Sequence, residues 1–221
     1  MLFRSWVLGA AILARADTGE LDLQRRVQFG PKDLLEPCSL TRAALGKGMT
    51  VAELCAAAIT TSDNAATNLL EPMVGGPSGL QAFVRGLGDP VMRFDRLEPE
   101  LNSNLPGDPR DTTTPEAMAR LLRKVLEGDA LSKASRERLL AWMKDCRTGA
   151  SRICAGVPRG WTVAHKTGSG AHGAANDVAV LFPPSGEPIY LCIFTEGPKD
   201  GLQEKAIAEA TRIVLQEWAP R

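Results

Sequence analysis

The sequence predicts an α/β (α+β) protein, an antiparallel sheet with flanking helices plus an all-helical domain. Three observations carry this. Helical periodicity and capping signals fill the first two thirds of the 221 residues. Three short β-branched and aromatic runs follow, Trp161 to Lys166, Asn176 to Phe182 and Ile189 to Thr195, separated by Gly and Pro turns as in an antiparallel meander. A closing amphipathic helix, Gly201 to Trp218, carries Leu202, Ala206, Ile207, Ala210, Ile213, Val214 and Trp218 on one side. The expected division is 1–145, mainly helical, and 146–221, the meander with its closing helix.

Taken in order, Arg4, the apolar run Trp6 to Leu13 and Ala14-Arg15-Ala16 read locally in two ways, as an export signal ending in A-x-A or as a buried helix running to about Asp17. Thr50-Val51-Ala52-Glu53 is a capping box that opens a helix to about Thr60. Ser62-Asp63-Asn64 stops it and caps a short helix from Ala65 to Leu70. Pro77 and Gly88 bracket the next, striped by Leu80, Phe83, Val84 and Leu87. Residues 89–115 form a long connection with five prolines and little periodicity, a length that in compact domains marks function or disorder. Thr114-Pro115 starts a helix that ends at Gly128, and another runs from about Ser132 to Lys144.

Composition removes several classes of function. The 26 basic side chains balance 26 acidic ones, which leaves no basic surplus for nucleic acid, and 5% aromatic content supplies few stacking platforms. No stretch is long enough to span a membrane. Five cysteines at irregular spacing, without C-x-x-C and with only His165 and His172 beside them, argue against a zinc site, so no metal or cofactor is expected. The thiols read as small core residues, and each histidine as a surface or core residue.

The templates G-x-x-x-x-G-K, G-x-G-x-x-G after a strand, H-E-x-x-H and G-x-S-x-G are all missing. Three polar clusters remain: Ser62-Asp63-Asn64; Glu98 within Arg96-Leu97-Glu98-Pro99-Glu100-Leu101-Asn102; and Lys166-Thr167-Gly168-Ser169-Gly170 at the end of the first meander strand. Singly they are a cap, a loop charge and a tight turn.

In this order and spacing, S-D-N, a glutamate 36 residues on and K-T-G 68 residues further, the sequence resembles the class A serine β-lactamases. The likeness extends over Leu45 to Leu70, Arg96 to Pro115 and Trp161 to Phe182. It implies a β-lactamase/transpeptidase-like fold and hydrolysis of β-lactams through an acyl-serine, an antibiotic-resistance activity. Under that resemblance Glu98 is the base that activates the deacylating water, with Asn102 helping to hold it. Ser62 relays a proton to the departing ring nitrogen, and Lys166 attracts the substrate carboxylate and acidifies Ser62. Thr167 and Ser169 hydrogen-bond that carboxylate, Gly168 belongs to the same substrate-binding segment, the Ser169 N–H supplies half an oxyanion hole, and Asn64 contacts the substrate's side-chain amide. Members are usually monomeric and are periplasmic or secreted.

The match fails at the S-x-x-K motif that carries the family's nucleophile. Counting back from Ser62 at family spacing reaches Leu2 for the serine and Ser5 for the lysine. The expectation is therefore an inactive fragment with a false start over Met1 to Ser5, lacking the family's first helix and two strands, and joined to an authentic core helix. Gly9 stands where many members carry the disulfide partner of Cys55, Cys154 where some carry an arginine near the carboxylate pocket, and Pro37-Cys38 where an aromatic residue often lines the entrance. Two rival readings are a D-alanyl-D-alanine peptidase of the penicillin-binding group, disfavoured by Glu98, and a non-catalytic ligand- or partner-binding derivative. In the family the last strand is central, so Ile189 to Thr195 is expected as an open edge beside an exposed apolar strip.

Overall fold

The computed structural model describes residues 4–197 and 201–218. Helix α1 (Arg4–Asp17) is buried on every side over most of its length, Trp6, Leu8, Ile12 and Leu13 being fully enclosed, so the apolar run is a core helix. A β-carbon on Gly9 would lie 2.8 Å from Ile59 Cδ1, so the missing side chain lets α1 approach helix α3 (Val51–Thr60) closely. At its C-terminal end Asp17 takes the Ser132 N–H and the Ser132 and Ser135 hydroxyls, each at 2.7 Å, tying it to helix α7 (Lys133–Lys144).

The Thr50–Glu53 capping box forms with both reciprocal bonds, at 3.1 and 2.7 Å. Asp63 caps helix α4 (Asn64–Leu70) through the Ala66 N–H. Helices α5 (Gly76–Gly86) and α6 (Pro115–Glu127) follow within two or three residues of their expected limits. Three short elements carry too little periodicity to be read from the sequence. They are the two-residue ribbon of β1 (Arg26–Val27) and β2 (Met49–Thr50), helix α2 (Ser39–Ala43) and helix α8 (Ile153–Gly156).

Strands β3 (Thr162–Ser169), β4 (Ala175–Phe182) and β5 (Ile189–Thr195) form the antiparallel meander in the order β3-β4-β5. The register Ala164↔Val180, Lys166↔Val178 and Gly168↔Asn176 sends one face toward the helices, where Ala164, Val178 and Val180 join the core of α1 and α3. Ala179, Leu181 and Ala175 turn to the other face, against helix α9 (Leu202–Trp218) and α8.

Two expectations are corrected. Strand β3 runs three residues past Lys166, so Thr167, Gly168 and Ser169 pair with Asp177, Asn176 and Ala175 in the ladder instead of making a tight turn. The buried stripe of α9 is Ile207, Ala208, Thr211 and Leu215, whereas the expected stripe leaves Leu202 and Ile213 more than half exposed. The side chain of Trp218 lies outside the described residues. Among them, β5 has a strand partner on one side only, so the edge expected to be open is open.

Candidate active site

The polar clusters, the first and last of them 104 residues apart from Ser62 to Lys166, meet in one cavity of about 390 Å³. All eight residues singled out, Ser62, Asn64, Glu98, Asn102, Lys166, Thr167, Gly168 and Ser169, line it, together with Ser5 from α1 and with Pro37, Thr148, Gly149 and Arg152. Leu2 lies outside the described residues.

Ser62 sits between α3 and α4 with φ of 56°, a left-handed conformation that a serine rarely adopts. Asp63, fully buried, holds it there by also accepting from the Leu40 and Thr41 N–H groups and the Thr41 hydroxyl, which clamps α2 against α4. The Lys166 ammonium donates to Ser62 Oγ and, at 2.7 Å, to the Thr167 carbonyl. Burial depresses the Lys166 pKa, and the charges of Cys146, Asp177 and Glu98 oppose that shift. Asn64 is tied by its Nδ2 to the Glu36 carbonyl at 2.6 Å.

Glu98 reaches the cavity because its loop is closed and gripped at several points. Arg96 Nε and Asp111 Oδ2 form an ion pair at 2.7 Å across the neck, and the Asp95 and Arg96 N–H groups also donate to Asp111. Asn68 on α4 grips the Glu98 backbone from both sides, accepting its N–H at 3.1 Å and donating to its carbonyl at 2.9 Å. The Asn102 carbonyl takes the Ala171 N–H at 2.9 Å, docking the loop on the β3–β4 turn. Asn102 Nδ2 donates to Glu98 Oε2 at 2.5 Å. Burial raises the Glu98 pKa, against the lowering effect of Asn102, Arg4 and Lys166.

The end of the cavity beside Gly168 and Ser169 holds a second buried cation. Arg152, 6% exposed, donates to the Gly168 and Asn176 carbonyls at 2.9 Å and to Ser169 Oγ at 2.6 Å, and it pairs with Glu204 at 3.1 Å. Thr148 Oγ1 meets Thr167 Oγ1 at 2.5 Å. Gly149, at φ of 72°, approaches so closely that a β-carbon would stand 2.2 Å from Thr167 Cγ2. These contacts amend two readings. Arg152 faces the pocket, while Cys154, two positions on, turns to His165. Pro37 lines the cavity but Cys38 is buried away from it. His165 is a core histidine, 3% exposed, whose Nδ1 lies 3.0 Å from Asp177 Oδ1.

Sequence reasoning passed over Asn68, Thr148, Gly149 and Arg152. Asn68 carried the one available signal, a second asparagine one helical turn beyond Asn64 on the same face. Among the described residues, no group of three or more His, Cys, Asp or Glu side chains forms a metal site, and no helix is long and apolar enough to cross a membrane.

A three-stranded antiparallel sheet backed by helices, with serine, glutamate and lysine meeting at its edge, defines a serine hydrolase of the β-lactamase/transpeptidase type. The chain belongs to the β-lactamase enzyme family, whose sequence model matches residues 6–218. Within it the chain is a class A member, as its structural neighbours show. An ancestral class A β-lactamase is 51% identical with a TM-score of 0.94, over 97% of this chain and 83% of that one. The class A β-lactamase of the last common ancestor of Gram-negative bacteria is 49% identical with a TM-score of 0.95, over 97% and 82%. A variant of that ancestor, bound to the transition-state analogue 5(6)-nitrobenzotriazole, matches at 49% identity and a TM-score of 0.95, over 97% and 82%. The family's activity is β-lactam hydrolysis by an acyl-serine route.

Proposed function

We propose that the cavity is a β-lactam site in which Glu98, Ser62 and Lys166 serve acyl transfer and deacylation, and that this chain binds such ligands without turning them over. The observation that supports this best is the meeting of these three side chains with Ser5 in one cavity. Opening a strained lactam needs a nucleophilic oxygen and an amine or carboxylate to take its proton. At the positions matching the family's serine and lysine, Leu2 offers no nucleophilic atom and Ser5 offers a hydroxyl in place of an amine.

The remaining parts fit the later steps. Glu98 has Oε2 engaged by Asn102, which leaves Oε1 to hold and deprotonate a water, and a raised pKa makes its carboxylate a stronger base. Ser62, in contact with the Lys166 ammonium, is placed to pass a proton to the departing nitrogen. Lys166 and Arg152 together make the far end cationic, and Thr167, Gly168 and Ser169 border it, a fit for the carboxylate of a bicyclic β-lactam. Asn64, its Nδ2 engaged, offers its carbonyl oxygen to a substrate amide. The cavity draws residues from both 1–145 and 146–221, and we read it as the junction of a helical and a sheet domain. A periplasmic or secreted setting belongs to the same reading. Glu98 in the cavity favours β-lactam hydrolysis over a penicillin-binding peptidase, a group that lacks this deacylating device.

The test is incubation with a chromogenic cephalosporin and with penicillin. No turnover and no mass gain of one penicillin are expected from the chain as it stands, and both are expected from the Leu2→Ser/Ser5→Lys variant. Turnover by the parent chain would refute inactivity. A double variant that folds and shows neither turnover nor an adduct would refute the assignment of the site.

A further inference from the structure

Among the described residues the sheet ends on an uncovered strand. β5 pairs with β4 along its whole length, from Ala175 with Thr195 to Leu181 with Ile189, and has no strand on its other side. Seven of the eight residues of β4 are buried, whereas all seven of β5 are only partly so, as a strand with one open flank must be. Both faces of β5 are apolar. Tyr190, Cys192 and Phe194 lean on the helical core, and Ile189, Leu191 and Ile193 on the cluster that includes Ile153 of α8 and Ile207 and Leu215 of α9. Natural edges are guarded by a charge, a proline or a bulge. Residues 189–195, Ile-Tyr-Leu-Cys-Ile-Phe-Thr, hold neither charge nor proline, and their register with β4 runs without a bulge.

We propose that this edge is a dimer interface, on which a second copy of the chain lays its own β5 antiparallel about a two-fold axis through Cys192. The strand itself selects that partner and that axis. A two-fold axis normal to the sheet keeps the α9 face with the α9 face of the second copy, and the alternation of side chains then requires a residue on the axis. Cys192 is the middle residue of β5, so an axis there gives every residue of the strand a partner. An axis through Leu191 or Ile193 leaves Phe194 and Thr195, or Ile189 and Tyr190, without one. The pairs also match in kind. Tyr190 falls opposite Phe194 of the second copy, Leu191 opposite Ile193, Ile189 opposite Thr195 and Cys192 opposite itself, aromatic on aromatic and aliphatic on aliphatic, combinations that stabilise neighbouring strands. Beyond the ends Glu187 faces Gly197 and Glu196 faces Pro188, so no carboxylate opposes another.

The other edge of the sheet does not compete. Strand β3 is buried from Ala164 to Gly168 and packs against α7. An edge that pairs with its own copy closes the assembly at two chains, whereas pairing of β5 with β3 would leave a new open edge at each step. The cavity residues Lys166 to Ser169 lie on β3, across β4 from the interface, so the dimer leaves the cavity open.

Analytical ultracentrifugation and hydrogen–deuterium exchange test this on the chain as it stands. At tens of micromolar, where exposed edges commonly associate, a dimer is expected, and exchange of the 189–195 amides should slow as protein concentration rises while that of β3 does not change. A monomer at this concentration, larger open-ended assemblies, or a dimer whose added protection falls outside 189–195 would overturn the proposal. Cys192→Arg sets two like charges against each other on the axis and should raise the dissociation constant of the dimer by more than about tenfold, while Cys192→Ser should leave it unchanged. A folded Cys192→Arg that dimerises as the parent does would overturn the axis. If that variant does not fold, the concentration dependence of exchange in the parent chain decides.

Discussion

Removing the Asp111 carboxylate should unfasten the loop that carries Glu98. Asp111 is fully buried at φ of 56° and accepts from four donors. These are the Asp95 N–H at 2.8 Å, the Arg96 N–H at 3.1 Å, Arg96 Nε at 2.7 Å and Arg4 Nη2 at 3.3 Å. Arg4 is 1% exposed and, among the described residues, would keep Glu71, 2.6 Å away, as its counter-ion. Breaking a buried ion pair from one side costs about 3–5 kcal/mol, because the other charge stays in the interior unpaired. Asp111→Asn isolates the charge, since asparagine also tolerates φ above zero, while Asp111→Ala adds strain. We expect Asp111→Asn to lose about 3–5 kcal/mol and Asp111→Ala at least as much. At about 2–4 °C per kcal/mol for a chain of this size, the midpoint should fall by roughly 6–20 °C. Thermal and urea unfolding measure this. Glu116→Ala, which breaks the exposed Arg120–Glu116 pair, is the control and should cost under about 1 kcal/mol. A loss below about 1 kcal/mol in both Asp111 variants would show that the Arg4–Asp111–Arg96 cluster does not hold the loop, and the account of how Glu98 is placed would fail.

Further outcomes follow from the same contacts. In a chain with Leu2→Ser and Ser5→Lys, Glu98→Ala should acylate and not release, a deficit of roughly 3–6 kcal/mol in the deacylation barrier. Single-turnover mass spectrometry reads this, and parental turnover would reduce Glu98 to a loop charge. Because the base works ionised and burial raises its pKa, the acid limb of deacylation should lie above the ordinary glutamate range; a limb at or below that range would contradict the burial. Strand β5, paired on one side, with Leu202 and Ile213 exposed nearby, should make the chain associate at tens of micromolar, as exposed edges and apolar surface commonly do. A monomer by analytical ultracentrifugation, with one cooperative thermal transition, would count against this.

Much of the fold is local and was therefore legible. The Thr50–Glu53 box and the Thr114 and Ser132 caps satisfy their own backbone groups within a few residues, and the runs of β4 and β5 are rich in β-branched and aromatic residues, so neighbouring residues announce them. The end of β3 was misjudged because Thr-Gly-Ser has weak strand propensity alone. It joins the ladder because Asp177, Asn176 and Ala175 lie opposite. The stripe of α9 was misplaced for a similar reason, since an exposed Leu202 and Ile213 have the same hydropathy as a buried pair.

The candidate site divides along the same line. Ser62, Glu98 and Lys166 were readable because their order and spacing match a family pattern, and that pattern does not depend on knowing the contacts. What sequence could not supply is how they are held, by Asn68 on the backbone of Glu98, Asp63 under Ser62, Arg152 beside Ser169 and Asp111 at the neck of the loop. Nor could it pair His165 with Asp177 or bring Cys154 to the same ring. Capping, periodicity and motif spacing are short-range properties, written in adjacent residues. Burial, pKa and the partner of each charge depend on which distant segments pack together, and only the tertiary structure decides that.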